Sequence, residues 1–183
     1  VHNATLKDIE LVTAPGGALE ALLEAKAAGK IGHIGMTGHL VEAFEKAIDL
    51  DWVETYMFPY NIVETHGEEL IKKCTEKNIG FIAMKALAGG VLHNAKPAYA
   101  YQDQFEEVLP VWGIQRESEL DEFISYMEHP PVMDEEMRAV IAKDIEELAS
   151  ETFLTIFNDL NKLNETCLLF SMFNRLISEK LKI

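Results

Sequence analysis

The chain has 183 residues, enough for one sizeable core, and carries 16 Lys and Arg against 31 Asp and Glu, a formal net charge of −15. That balance argues against nucleic acid and anionic membranes as partners, because both are held through clustered cations that displace counterions. With 48% hydrophobic and 26% charged residues, the composition is that of a folded globular chain rather than a disordered one.

Short β-branched apolar runs alternate with longer helical patterns through the first 130 or so residues. The first helix is expected over 17–28, where Leu19, Leu22, Leu23 and Lys26 recur at helical spacing and Gly29 provides a stop. A strand follows over 31–36, a helix over 39–48, a strand over 52–58, a helix over 68–77 and strands over 79–84 and 108–112. A helix over 118–127 ends the series before Pro130 and Pro131. The strand starts lie about one crossover unit apart, which predicts a parallel sheet of βα units, as in a barrel or a doubly wound sheet. An acidic helix is then expected from Asp134, a good N-cap before Glu135 and Glu136, to about residue 149.

The remainder differs in character. Residues 152–183 contain none of the 11 Gly and 6 Pro, yet hold four of the nine Phe and a formal charge of +1. We therefore divide the chain into a body, 1–149, and a compositionally distinct helical tail, 150–183. Phe153, Ile156, Phe157 and Leu160 form one apolar stripe, and Leu169, Met172, Phe173, Leu176 and Lys180 a second, less regular one. Either the tail packs these onto the body or it presents them to a partner.

Two cysteines, Cys74 and Cys167, form no CxxC pair, so neither a disulfide framework nor a structural zinc site is readable, and a reducing, cytoplasmic setting is expected. No apolar run approaches the ~18 residues of a membrane helix, and no basic-then-apolar leader opens the chain. It begins with Val1 rather than Met, from which further upstream sequence is expected.

The most specific motifs are Gly29-Lys30-Ile31 leading into Ile34-Gly35-Met36-Thr37, then Tyr60-Asn61, and then Ala83-Met84-Lys85-Ala86-Leu87-Ala88-Gly89-Gly90. In this order they resemble the aldo-keto reductase family, from His2 to about residue 148. Val111-Trp112-Gly113-Ile114-Gln115-Arg116 and Pro130-Pro131-Val132-Met133 add a likeness to bacterial and archaeal members with an iron-sulfur tail. The resemblance implies an α/β fold, a partial TIM (β/α)8 barrel of about four C-terminal βα units, with NADP(H) and a small-molecule carbonyl or alcohol as reactants. It also implies sites at the C-terminal ends of the strands.

His2 then matches a family histidine that polarises the substrate carbonyl, although a lone His near a terminus is also an ordinary surface residue. Thr37 matches a hydroxyl that binds the nicotinamide carboxamide, or it caps the next helix. Met84 stands where the family stacks an aromatic ring on the nicotinamide, and Met57 where it carries an amide. Leu87, Gly89, Gly90, Gly113, Gln115 and Arg116 match the loops that hold the pyrophosphate and 2′-phosphate. Glycines permit close backbone approach and Arg116 offers a bidentate clamp, yet a turn explains the glycines and an ion pair with Glu117 or Glu119 explains Arg116.

The family's Asp, acid Tyr and Lys come from earlier strands and have no counterpart here, which implies that the missing N-terminal half-barrel or self-association completes the fold. Turnover by the chain alone is expected to be slight. The Cys-rich tail of the subgroup is replaced by Thr152-Phe153-Leu154-Thr155, so a [4Fe-4S] cluster is not expected, nor any other metal site. A non-catalytic nucleotide-binding or partner-binding half-barrel is the alternative.

Overall fold

The computed structural model describes the backbone of residues 1–159 and the side chains of residues 1–151. Both tail stripes, together with Cys167, lie outside the described side chains. The chain divides into two units, Val1–Met133 and Asp134–Ile183.

In the first unit four parallel strands, β1 (Gly35–Thr37), β2 (Thr55–Pro59), β3 (Gly80–Met84) and β4 (Val108–Pro110), lie in sequential order. Sequential order without reversal is that of a barrel wall, not of a doubly wound sheet, which changes direction at a switch point. Helices α1 (Leu6–Thr13) and α2 (Ala18–Ala27) precede the sheet. α3 (Val41–Ala47), α4 (Gly67–Glu76) and α5 (Ala95–Gln102) fill its crossovers, and α6 (Glu117–Glu128) follows β4.

Alternation along the strands separates two faces. Met36, Tyr56, Phe58, Phe81, Ala83 and Val108 are buried in one core with Ala43, Phe44 and Ala47 of α3 and Leu70, Ile71 and Cys74 of α4. Phe44 is its centre, with ring centroids 4.1 Å from Tyr56 and 5.5 Å from Phe58. On the opposite, barrel-interior face, Thr37, Met57, Ile82 and Leu109 stand in register across all four strands. This row is only partly covered, and Leu109 is 62% exposed.

Val1 adds to the sheet before β1. Its amino group donates to the Gly35 carbonyl at 2.7 Å, and its own carbonyl accepts from Thr37 at 2.8 Å, one bridge of a parallel ladder. His2 therefore sits at the C-terminal side of the sheet.

Several sequence expectations shift. β1 begins at Gly35 rather than at residue 31, because the Ile34 N–H is taken by the Glu54 carboxylate at 3.0 Å instead of a ladder carbonyl. β4 ends at Pro110, although the Val111 N–H still donates to the Ala83 carbonyl at 2.8 Å; the proline nitrogen faces the open edge of the sheet, where no N–H is needed. Two helices were not expected, α1 and α5. In the second unit α7 runs from Glu135 to Asp159 without a break, so the compositional boundary at 149/150 falls inside a helix.

Candidate active site

The C-terminal ends of the strands gather the singled-out residues in two groups. The first surrounds Thr37. Its hydroxyl accepts the Asn3 N–H at 2.7 Å and lies 3.1 Å from His2 Nδ1, while its carbonyl accepts the Ala4 N–H at 2.7 Å. A hydroxyl gives one proton and accepts two, so with Asn3 N–H on one lone pair the contact with His2 runs either way, Thr37 donating to Nδ1 or Nδ1–H donating to Thr37, according to the ring's tautomer. In both cases Thr37 holds Nδ1 and orients the ring, and His2 remains exposed. Asn3 holds φ 50°, the left-handed region, to bring its N–H onto Thr37.

Tyr56 and Tyr60 do not contribute acids to this end. Both are fully buried, and burial pushes each phenol up to about 12. The Tyr56 hydroxyl lies among core atoms with no partner among the described residues, and the Tyr60 ring is enclosed by Phe81, Tyr101 and Phe105.

Between the two groups, the loops after β2 and β3 are tied by Asn61. Its amide donates to the Lys85 carbonyl at 2.9 Å, and its oxygen accepts the N–H groups of Val63 (3.0 Å) and Glu64 (2.9 Å). Met84 ends β3 in register with Pro59, and Lys85 follows in left-handed conformation at φ 61°.

The second group lies around the loops after β3 and β4. A cavity of about 130 Å³ is lined by Leu87, His93, Ala95, Trp112, Gly113, Arg116, Glu119, Glu122, Phe123 and Tyr126. Its walls are aromatic, with Trp112 and Phe123 ring centroids 5.5 Å apart, and Tyr99 behind them, 5.5 Å from Tyr126. Gly89 and Gly90 lie in a short 3-10 turn (Ala88–Gly90) at φ 72° and 94°, with nothing within 4 Å of where a side chain would start. The turn thus requires glycine for its backbone, and leaves open space beside it.

Leu87, Gly113 and Arg116 therefore line one cavity, while Gln115 is exposed and contributes its backbone N–H to Glu119 at 2.8 Å. Glu119 also accepts the Arg116 N–H at 3.0 Å and pairs with its guanidinium at 2.5 Å, so Arg116 is engaged by its own helix. These contacts hold the Glu119 carboxyl below its ordinary range, chiefly through the Gln115 N–H.

Sequence reading missed Glu119, Glu122, Phe123 and Tyr126 as cavity lining. The signal was present: within a helix expected over 118–127 they recur at spacings of three and four, one face. Among the described residues no group of three or more His, Cys, Asp or Glu could hold a metal ion. None of their helices is long and apolar enough to cross a membrane.

The sequence model of the Aldo/keto reductase family matches residues 8–108, from α1 to the start of β4, leaving His2 and the Gly113–Arg116 loop outside the matched span. The fold is similar to that of a solved aldo-keto reductase, AKR11C1 from Bacillus halodurans, described as a holo form. The TM-score is 0.63 at 16% identity, covering 78% of this chain and 58% of that one. The chain thus spans less than two thirds of the length of this structural neighbour. Among curated proteins none matches.

Proposed function

From the premise that this chain belongs to the aldo/keto reductase family, we propose that it forms the cofactor side of an NADP(H)-dependent oxidoreductase that interconverts small-molecule carbonyls and alcohols. The observation that carries the reading is the gathering, at one end of a parallel sheet, of an exposed histidine held by Thr37 and an aromatic-walled cavity bearing a guanidinium. The donor set suits the nucleotide: flat apolar walls for a base, Arg116 for a phosphate and open backbone at Gly89, Gly90 and Gly113.

When bound, the nucleotide supplies a hydride at its nicotinamide C4. The residues of this chain bind and orient. Trp112 and Phe123 offer faces to the base, and Arg116 offers its fork to the 2′-phosphate. In the His2 tautomer with its proton on Nε2, Thr37 donates to Nδ1 and keeps a lone pair for the carboxamide NH2. Met84 and Met57 give the nicotinamide an adaptable apolar bed in place of a specific contact. His2, held through Nδ1, donates Nε2–H to the substrate oxygen and stabilises the charge that develops there. A proton donor to complete the alcohol comes from other strands, supplied by an N-terminal half-barrel or a second copy.

A second reading, a nucleotide-binding half-barrel without turnover of its own, is favoured by the inward burial of Tyr56 and Tyr60. Titrating the purified chain with NADPH, followed by nicotinamide fluorescence, tests the cofactor assignment common to both readings. Saturable binding that weakens by about fivefold in Arg116→Ala is expected, given the modest worth of an exposed charge pair. A folded chain that binds no NADPH overturns it. Adding a carbonyl substrate and following NADPH oxidation then separates the two readings.

A further inference from the structure

The cavity beside α6 has one Lys or Arg in its wall, Arg116, against two carboxylates, Glu119 and Glu122. These acids are not equivalent. Glu122 accepts the Tyr126 hydroxyl at 2.6 Å and faces the aromatic wall. Glu119 is bound from three directions, by the N–H groups of Gln115 and Arg116 and by the Arg116 guanidinium. It is the better fixed partner of the pair, its side chain 28% exposed against 76% for Arg116.

A 2′-phosphate approaching Arg116 therefore meets a cation that already has a counter-ion. It also meets two backbone donors that already have an acceptor, and a second acid a turn further along the helix. We infer that Glu119 sets nucleotide selectivity in this cavity: by competing for Arg116, it reduces the preference for a 2′-phosphorylated adenosine over its unphosphorylated counterpart. This rests on the cavity being the adenosine end of the proposed nucleotide site, and concerns Arg116's availability rather than its presence. Glu119 is a positioning residue, since it acts through Arg116.

The test uses the full chain and two small probes, adenosine 2′,5′-bisphosphate and 5′-AMP, titrated by calorimetry, so that the barrel interior is not needed. The wild type is expected to discriminate between them by less than about fivefold, and Glu119→Gln to raise that ratio by about three- to fivefold, the range of an exposed ion pair. The amide introduced by that change keeps an oxygen for the two backbone N–H groups, so α6 starts as before, which circular dichroism checks. Arg116→Gln is expected to bring the ratio close to one, and Glu119→Gln in that background to change it by less than about twofold.

A ratio that is the same in the wild type and in Glu119→Gln overturns the role of Glu119 while leaving the nucleotide site standing. A wild-type preference above about twentyfold for the bisphosphate overturns it as well, since Arg116 would then be free. Failure of the folded wild type and all three variants to bind either probe overturns the site itself, and this inference with it.

Discussion

The two ends of the one sheet are held by different physics. At the N-terminal ends of the strands Glu54 is a knot. Its carboxylate receives Lys26 Nζ of α2 at 2.5 Å, the His33 ring at 2.7 Å and the Ile34 N–H. Its backbone meanwhile bonds Ile34 on one side and Gly80 on the other. At the C-terminal ends the loops instead hold left-handed backbone at Asn3, Lys85, Ala88, Gly89 and Gly90, and their polar groups face outward at His2 and Arg116. Left-handed backbone also occurs before β1 and β3, at Gly29 and Asn78, so the contrast lies in the charges: one end spends them on joining elements, and the other leaves polar side chains exposed. That division matches barrels in general, where the first end stabilises and the second carries function.

The comparison can be broken at three places. Phe44→Ala removes the ring beneath both ends and is expected to cost about 3–5 kcal/mol, unfolding them together in a single denaturant transition. Two separate transitions would mean that the ends do not share a core. Asn61→Ala lies at the functional end yet is buried, and leaves the Lys85 carbonyl and the Val63 N–H without their side-chain partner, while the Glu64 N–H keeps the backbone carbonyl of residue 61 at 3.1 Å. A loss of about 2–3 kcal/mol in urea denaturation is expected; a neutral result would mean that the loops at this end contribute nothing to stability.

The smallest effect is the sharpest in pH. Glu54 is lowered from 4.5 to about 2, first by Lys26 and then by His33 and the Ile34 N–H. A carboxyl whose folded pKa is depressed contributes stability above its unfolded value and loses it as pH falls through the folded one. Wild-type melting temperature should therefore drop as pH falls from about 4.5 to about 2 more steeply than that of Glu54→Gln, in paired thermal scans. Equal slopes would remove Glu54 from the account.

Much of this fold was legible because its period is written in the chain. The helices expected over 17–28, 39–48, 68–77 and 118–127 all form within two residues of those bounds, since apolar spacing reports a buried face directly. What escaped has local causes. α5 buries Pro97, Ala98, Tyr99 and Ala100, four consecutive positions that give no amphipathic stripe. α1 buries only Ile9, although Thr5 and Asp8 carry the capping box that marks its start, Asp8 Oδ2 accepting the Thr5 N–H at 2.9 Å.

At the site, the contact between His2 and Thr37 joins residues 35 positions apart through strand register, which no spacing encodes. The rivalry of Glu119 for Arg116 was readable as an i, i+3 pair, whereas the cavity it borders needed the Trp112 and Phe123 rings to be brought within 5.5 Å of each other.

The single amide of Asn61 has a mechanical consequence. Because one rigid planar group grips the segment after β2 through its oxygen and the segment after β3 through its nitrogen, neither can swing outward without tearing or dragging the other. The two loops form one lever, with a shared opening rate rather than two independent ones.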